Sequence, residues 1–388
     1  MDFSNKDLLP MYVSNPEQNK ETLTSYTSYT LQGVRVPEPL QRRYRDFASF
    51  REKLVERWPG VFIPNIPHKQ MVGSNDKEVI SMRIEMINRF CQKLSLIGSL
   101  FNSEEMDLFL QNTNDVPKTL ATLKPQTYEE ILRKYSASFL DYDENFDTQA
   151  GKEKQNKFLE ALKALLPKVR TFRDIVKNCR DKFQPLQKNV ALTLNLLELY
   201  ERESLTEYTN KDESKLILCN MQNPKMQSDV LQVKENLLNP YEKLYELING
   251  DMLDIEAMIE ALQSLKGLQD TYDKITSNYN ATSNQLSEIQ AGKSNFKSIF
   301  SFKSKEQDIS SLTQEKEKLQ KDLNNLEQII KMATHHMDIE MRLFKTANLD
   351  GYYEELWRIK KRTNENGTLF GNFCDDILEN PAIKGIKI

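Results

Sequence analysis

A concentration of arginine side chains lies between residues 35 and 57. This window holds seven basic and four acidic residues, a balance of about +3 in a chain whose net charge is −4. Its centre, Arg42 to Phe47, reads Arg-Arg-Tyr-Arg-Asp-Phe. A guanidinium is a planar fork that matches two phosphate oxygens at once, and a tyrosine beside it offers a flat wall to a ring. Composition alone leaves two interpretations open, a phosphate-binding site and a solvated basic face.

Catalytic chemistry has little support elsewhere in the sequence. His335 and His336 are adjacent, so on a helix they point about 100° apart, which predicts helix packing rather than a shared metal ion. Gly292-Lys293-Ser294 resembles the end of a phosphate-binding loop, but Ser287 occupies the position of the upstream glycine that the motif needs. We therefore predict a protein that is not an enzyme and that uses no metal ion and no cofactor.

Net charge and cysteine spacing limit the class of protein further. A net charge of −4 is not typical of a nucleic-acid-binding domain, and no apolar run approaches the ~20 residues of a membrane span. The four cysteines are far apart in the sequence, which fits reduced thiols. We expect a cytoplasmic protein without a nucleic-acid partner.

Proline and glycine divide the chain into two parts. Residues 1–125 hold nine prolines and four glycines, whereas the twice longer segment 126–388 holds five and eight. This shift predicts a compact α+β domain followed by long helices. The front part contains strand and helix patterns around the arginine cluster: strands at 11–13, 26–31 and 40–44, a helix from Phe47 to Trp58, a Pro-rich loop at 63–67, and helices from Glu78 and over 101–110.

An amphipathic stripe follows the polar segment 111–126. It consists of apolar and aromatic residues at helical spacing: Tyr128, Ile131, Leu132, Tyr135 and Phe139. The stripe has two interpretations, a helix that is docked on its neighbours and a helix that lies on a membrane surface.

The rear of the chain predicts three long helices, at about residues 152–203, 226–290 and 305–362. We expect Pro167 and Pro185 to bend or interrupt the first helix, and we expect Asn239-Pro240 and Gly250 to strain the second. Helices of this length are longer than a compact core, so we expect them to bury their apolar faces by extended antiparallel packing, often across a dimer. The third helix carries apolar residues at steps of three and four, as a coiled-coil interface does: Ile309, Leu312, Leu319, Leu323, Leu326, Ile330, Ala333, Met337 and Phe344.

Three motifs in order give the arginine cluster a more specific meaning. They are Arg42 to Phe47, then Ile63-Pro64-Asn65-Ile66-Pro67-His68-Lys69, and then Arg83-Ile84-Glu85-Met86-Ile87-Asn88-Arg89-Phe90. Over roughly residues 7–113 the sequence resembles the PX domain, a phosphoinositide-binding module that most often takes phosphatidylinositol 3-phosphate. The family's known chemistry then applies to the residues that match its motifs.

The resemblance implies a role for each of four matching residues. Arg43 would hold the 3-phosphate and Tyr44 would pack against the inositol ring. Lys69 would meet the 1-phosphate, and Arg83 would bind the ring hydroxyls. His68 is a departure, because many members of the family have glycine at this position.

A PX domain followed by three long amphipathic helices resembles the sorting nexins that carry a BAR domain, which is an antiparallel dimer of curved three-helix coiled coils. The resemblance implies a PX domain at 1–115, a linker with an amphipathic helix at 116–150, and a BAR-type dimerisation and curvature domain at 151–388. It also gives support to membrane insertion by the linker helix, because many such proteins carry a membrane-inserting helix at this place, and both interpretations of the stripe stay open.

Basic and apolar residues interleave between the second and third long helices. They are Lys293, Phe296, Lys297, Ile299, Phe300, Phe302, Lys303 and Lys305. A turn between two helices does not need four large exposed apolar side chains. In the BAR interpretation this segment is a membrane-binding tip, loosely similar to the tip of the sorting nexin-four-like branch. The alternative is a loop folded back onto its own helices.

The resemblance implies a peripheral protein of early or recycling endosomes. Such a protein would bind membranes that contain phosphatidylinositol 3-phosphate and form a homo- or heterodimer with another BAR sorting nexin. It would sense or generate curvature in endosomal sorting, recycling or autophagy-related traffic. The alternative function is a coiled-coil scaffold or tether that the PX domain localises without membrane remodelling.

Overall fold

The computed structural model describes residues 9–20, 25–67, 77–112, 115–208, 216–219, 224–291 and 305–379. Lys69 and the predicted tip residues from Lys293 to Lys303 lie outside these ranges. Lys305 is the first residue of the last long helix.

An antiparallel sheet of three strands forms the front of the described chain. The strands are β1 (Tyr12–Lys20), β2 (Ser25–Gly33) and β3 (Val36–Arg43), in that order across the sheet. Threonine and tyrosine are frequent in β2 and favour an extended backbone. Leu31 of β2 pairs with Leu40 of β3, and both side chains are buried. All three predicted strands are present, and β1 is several residues longer than the sequence pattern indicated.

Five helices accompany the sheet. They are α1 (Tyr44–Arg57), α2 (Lys77–Leu96), α3 (Gly98–Phe101), α4 (Glu104–Phe109) and α5 (Val116–Ala121). The last residue of β3 is followed directly by the first residue of α1, so no loop separates the strand from the helix.

An aromatic core fixes α1 in place. Phe47 and Phe50 of α1 and Phe109 of α4 are fully buried. The rings of Phe50 and Phe109 stack with their centroids 4.2 Å apart. Burial of one such side chain stabilises the fold by about 1.5–3 kcal/mol, so this cluster holds the strand-to-helix junction at which the predicted site residues lie.

Long helices make up most of the rest of the chain. A short helix, α6 (Tyr128–Ser138), precedes them in the predicted linker. Next come α7 (Thr148–Tyr200), a π-helical turn at Glu201–Leu205 and the single turn α8 (Thr206–Tyr208). The remaining helices are α9 (Pro224–Glu235), α10 (Glu242–Gln290) and α11 (Lys305–Glu379).

Two details of the long helices differ from the sequence expectation. Of the two outcomes expected at Pro167 and Pro185, a bend or an interruption, the interruption is wrong, because α7 is one continuous helix through both. Both prolines are solvent-exposed, so water can bind the carbonyl groups that each ring frees. The predicted continuous second helix is also wrong. It is divided into α9 and α10 at residues 236–241, where Oδ1 of Asn239 accepts a hydrogen bond from N of Tyr241 at 3.0 Å.

The third long helix also differs from expectation. It continues to Glu379 rather than ending near residue 362. Part of its predicted seam is already covered, because Leu323, Leu326 and Ile330 are buried within the single chain, whereas other seam residues are half-buried: Ile309, Leu312 and Leu319. Apolar periodicity identified a buried face correctly, but the neighbours that cover this part of it belong to the same chain.

The chain folds into two compact units, each of which is built from separate stretches of the sequence. The first unit comprises Met1–Leu166 and Leu253–Phe344, and the second comprises Pro167–Met252 and Lys345–Ile388. The first unit holds the sheet, α1 to α6 and parts of three long helices. In the second unit Met226 and Val230 of α9 pack with Leu218, Phe373 and Ile377.

Candidate functional site

Arg43 lies at the junction between β3 and α1. It is the N-terminal cap of α1, and its backbone N donates a hydrogen bond to Oδ2 of Asp46 at 2.8 Å. The half-buried guanidinium lies over the ring of Tyr26 on β2, with Cζ 3.3 Å from the ring centroid. Burial raises the pKa of Asp46, while the Arg43 amide and nearby arginines oppose the rise. The junction therefore fixes the direction of the backbone that carries Arg43 and Tyr44.

Arg42 has a structural task instead. Its side chain is 1% exposed, and Nη2 donates hydrogen bonds to the carbonyl oxygens of Phe109 at 2.9 Å and Gln111 at 2.6 Å. Successive side chains of a strand point to opposite faces of the sheet, so Arg42 and Arg43 have different surroundings and different roles. Only Arg43 of this pair is placed to bind a ligand.

Tyr44 and Arg83 come together from different helices. The Tyr44 hydroxyl donates a hydrogen bond to the carbonyl oxygen of Pro67 at 2.5 Å. Arg83 of α2 lies over the Tyr44 ring, with its Cζ 5.3 Å from the ring centroid, and its Nη1 donates to the Tyr29 hydroxyl at 3.5 Å. Burial raises the pKa of Tyr44, and the charges of Arg83 and Arg51 act in the opposite direction. The hydroxyl thus stays protonated and keeps its hydrogen bond at neutral pH.

Of the four predicted phosphoinositide-binding residues, the structure brings Tyr44 and Arg83 into contact, and Arg43 precedes Tyr44 in the chain with its guanidinium over Tyr26. Lys69, the fourth, lies two residues beyond Pro67, the last described residue of the Pro-rich loop. Its role stays a prediction.

Sequence reasoning missed Arg51. Nε of Arg51 donates a hydrogen bond to the carbonyl oxygen of Pro64 at 2.9 Å, in the middle of the Pro-rich loop. Helical spacing could have indicated Arg51, because it follows Tyr44 by seven residues and so lies on the same face of α1.

The linker stripe is docked on the protein. Ile131, Tyr135 and Phe139 are buried, while Tyr128 and Leu132 are half-buried. A capping box between Thr127 and Glu130 begins the helix.

Aromatic contacts hold the stripe in place. The Tyr135 hydroxyl donates to the carbonyl oxygen of Pro59 at 2.5 Å, and the Tyr135 ring stacks on Trp58. The Phe139 ring stacks on His336 with 4.1 Å between centroids. Burial and the neighbouring His335 lower the pKa of His336 to about 4, so this histidine is a neutral packing partner at neutral pH. Insertion of the stripe into a membrane would require these contacts to break.

An exposed apolar surface lies in the second unit. α7 and α11 border a groove of about 620 Å³ whose walls are almost entirely apolar. Leu197 and Tyr200 of α7 stand 45% and 55% exposed at its edge, and Phe373 and Ile377 of α11 line the other side. Exposed apolar patches of this kind mark interaction surfaces. In the described part of the chain, no helix combines the length and apolarity of a membrane span.

Sequence comparison places the site in a known type of domain. The model of the PX domain family matches residues 36–113. Vacuolar protein sorting-associated protein vps5 of Schizosaccharomyces pombe is 33% identical over 117 residues, which are 27% of this chain and 20% of that protein. Sorting nexin 1 of Arabidopsis thaliana is 32% identical over 117 residues, 28% of this chain and 29% of its own length.

A third relative matches a shorter stretch. Sorting nexin-8 of Homo sapiens is 32% identical over 73 residues, 19% of this chain and 16% of that protein. The matched segment thus spans less than a third of each of these three relatives. One solved structure, the cryo-EM structure of the SNX-BAR Mvp1 tetramer, aligns with 95% of this chain and 100% of its own chain, at 17% identity and a TM-score of 0.47.

The strand-to-helix junction with its arginines and the Pro-rich loop belong to a PX domain. The predicted resemblance to the sorting nexins is confirmed by relatives from a yeast, a plant and a mammal. The predicted fold class, an α+β PX domain followed by long helices, is confirmed as well.

Proposed function

We propose that the chain is a non-enzymatic peripheral membrane protein that binds phosphatidylinositol 3-phosphate through its PX domain. The observation that supports this most directly is that Arg83 of α2 lies over the ring of Tyr44, the residue that follows Arg43 at the junction of β3 and α1. Arg43 holds the 3-phosphate through its guanidinium fork, and the Tyr44 ring packs against the inositol. Arg83 donates to the ring hydroxyls, and Lys69 meets the 1-phosphate.

The long helices serve dimerisation in this proposal. The apolar groove between α7 and α11 supports an interface, because the large side chains of Leu186, Leu197 and Tyr200 at its edge face solvent in the single chain. A BAR-type homo- or heterodimer would cover this surface and bury well over ~2,000 Å², as permanent partners do. Two PX domains in one dimer bind a membrane more tightly than one, since the second contact is intramolecular.

The cell-biological part of the proposal follows from the similarity to sorting nexins. The protein acts on early or recycling endosomes, where it senses or generates membrane curvature in sorting, recycling or autophagy-related traffic. The PX domain spans residues 1–115, the linker 116–150 and the BAR-type part 151–388. The apolar residues between α10 and α11 form the tip that inserts into the outer leaflet.

A vesicle experiment tests the proposed lipid. Full-length protein is sedimented with liposomes of neutral lipid alone and with the same liposomes containing a small fraction of phosphatidylinositol 3-phosphate or its 4-phosphate isomer. We expect sedimentation with the 3-phosphate only. Equal sedimentation with both isomers would leave phosphoinositide binding in place and refute the choice of lipid.

A scaffold or tether is the second candidate function. It is favoured by the burial of Ile131, Tyr135 and Phe139, since the linker stripe is then not available as a membrane wedge. Negative-stain microscopy of liposomes incubated with the protein separates the two candidates. Narrow tubules support remodelling, and vesicles that bind protein but keep their shape support the scaffold.

A further inference from the structure

Arg51 joins the Pro-rich loop of the PX domain to a long helix. Its Nε donates to the carbonyl oxygen of Pro64 at 2.9 Å, while Nη2 forms an ion pair with Glu260 of α10. The Arg51 side chain is 11% exposed. An arginine this deeply buried needs a counter-charge, so Glu260 keeps the guanidinium in the position from which it holds Pro64.

The segment that leads into this loop is also attached to α10. N of Gly60 donates a hydrogen bond to Oγ of Ser264 at 3.1 Å. Gly60 has a φ of 80°, and a Cβ at this position would lie 3.2 Å from Cδ1 of Leu265. Glycine is therefore favoured by the left-handed backbone, and the close approach of α10 leaves little room for a Cβ.

The end of the loop reaches the lipid site. The carbonyl oxygen of Pro67 accepts the hydrogen bond from the Tyr44 hydroxyl at 2.5 Å. Pro64 and Pro67 have no backbone N–H, so this segment has fewer backbone donors that could bind its own carbonyl groups. Donors from side chains bind these carbonyl groups instead. Ser264, Arg51 and Tyr44 bind the backbone at the start, the middle and the end of residues 60–67.

We infer that Arg51 and Glu260 are positioning residues for phosphoinositide binding, so that helix α10 forms part of the lipid-binding apparatus. This inference rests on the proposed function of the PX domain. With the ion pair in place, the loop presents the carbonyl oxygen of Pro67 to the Tyr44 hydroxyl. Without it, the loop takes the binding-competent arrangement in only a fraction of molecules, and the apparent affinity falls by that fraction.

The test compares three variants of the full-length chain: Arg51→Gln, Glu260→Gln and, as a matched control, Asp254→Asn. Asp254 also lies on α10 and forms ion pairs with Arg89 and Lys93 of α2, but within the described ranges none of its hydrogen bonds involves the loop. Titration calorimetry with soluble short-chain phosphatidylinositol 3-phosphate should give roughly five- to tenfold weaker binding for Arg51→Gln and roughly two- to fivefold for Glu260→Gln. Asp254→Asn should bind within about twofold of wild type.

Hydrogen exchange supplies a readout that general destabilisation does not reproduce. The amides of Ile63, Asn65 and Ile66 should exchange faster in both Arg51→Gln and Glu260→Gln, with no change in Asp254→Asn. Unchanged exchange at these amides overturns the inference, and so does equal loss of affinity in the control. Glutamine has nearly the same size as glutamate, so Glu260→Gln removes the charge without changing the packing. If Arg51→Gln does not fold, Glu260→Gln alone still tests the inference.

Failure of the proposed function gives a different result. If wild-type protein does not bind the soluble lipid, or if Arg43→Ala binds as wild type does, the lipid site itself is wrongly assigned. If wild-type binding depends on Arg43 but not on Arg51 or Glu260, only the positioning role is refuted.

Discussion

The guanidinium of Arg83 lies over the ring of Tyr44, with Cζ 5.3 Å from the ring centroid. The two residues are 39 positions apart and come from different helices, α1 and α2. The Tyr44 hydroxyl is held at the same time by the carbonyl oxygen of Pro67. The ring is thus restrained by a cation at its face and by a hydrogen bond at its end, and this restraint would lower the entropy cost of the inositol contact that we propose.

Replacement of Arg43 by alanine should weaken binding of phosphatidylinositol 3-phosphate roughly ten- to a hundredfold, because a charge-assisted hydrogen bond is typically worth ~1.5–3 kcal/mol. Liposome co-sedimentation measures the loss. Arg45→Ala is the matched control, since the Arg45 side chain is 55% exposed and its ion-pair partner is Asp46. A folded Arg43→Ala protein with wild-type affinity would remove Arg43 from the site.

The resemblance to the PX domain named those candidate residues that stand in short motifs. Arg43 and Tyr44 follow one another in one motif, and Arg83 begins another, and their roles in lipid binding stay predictions. Arg51 was not predictable in the same way, because its partner Glu260 is 209 positions away. Only the folded chain shows that α10 passes beside the Pro-rich loop.

The long helices also show which features local sequence signals predict and which they do not. The break between α9 and α10 coincides with a local signal, Asn239-Pro240. In contrast, Pro167 and Pro185 do not interrupt α7, since the exposed backbone there can bind water. Apolar spacing predicted that Leu326 is buried but not that its own chain covers it.

Glu340 of α11 makes the stability of the first unit depend on pH. Burial raises the pKa of Glu340 to about 7 from an ordinary value of 4.5. The folded protein therefore holds this proton more tightly than the unfolded chain. Proton binding by Glu340 therefore contributes up to about 3 kcal/mol to the free energy of unfolding. This contribution is fully present below about pH 4.5 and is lost as pH rises through about 7.

Glu340→Gln should remove this dependence. Thermal unfolding should show the variant to be more stable than wild type at about pH 8 and equal to it at about pH 4. Glu327→Gln is the control on the same helix, because Glu327 is 47% exposed and pairs with Lys331 at 2.7 Å. An identical change at both pH values would show that the proton on Glu340 has no part in the effect.

Tyr135 should be a core residue of the docked linker helix. Tyr135→Ala removes a fully buried ring and its hydrogen bond to Pro59, so we expect a loss of about 3–5 kcal/mol in unfolding free energy. Leu140→Ala is the comparison, because Leu140 is 85% exposed, and it should change stability by less than about 0.5 kcal/mol. Urea unfolding measures both. Normal stability together with lost liposome binding would instead assign the stripe to the membrane.

The apolar groove between α7 and α11 should be a dimer surface. Wild-type protein should sediment as a dimer at micromolar concentration, and Leu197→Asp combined with Tyr200→Asp should sediment as a folded monomer, because buried charges at an interface are costly. Leu326→Ala should behave differently. Leu326 is 0% exposed in the single chain, so its loss should cost about 2–5 kcal/mol of stability without dissociating the dimer.

A monomeric wild-type protein would contradict the homodimer. Sedimentation equilibrium of a well-folded chain without any partner gives this answer directly. The BAR-type interpretation would then require a specific heterodimer partner, and the same groove variant should abolish binding of that partner.

The predicted tip is tested by four serine substitutions, at Phe296, Ile299, Phe300 and Phe302. These residues fall between the end of α10 at Gln290 and the start of α11 at Lys305. Phe296, Ile299 and Phe300 follow the i, i+3, i+4 spacing that places side chains together on one helical turn, and lysines flank them. Near an anionic leaflet each lysine should contribute about 1 kcal/mol, and we expect the apolar side chains to insert shallowly and wedge the lipids apart.

The serine variant should keep its dimer and its affinity for soluble phosphatidylinositol 3-phosphate, because these residues are neither among the described residues that line the groove nor among the four predicted lipid-binding residues. It should bind liposomes more weakly and should no longer form tubules. A variant that unfolds or loses its dimer would show that the four side chains pack against their own helices. Normal tubulation by the variant would assign remodelling to another surface, and the linker residues Ile131 and Tyr135 would then have to leave their buried positions to supply it.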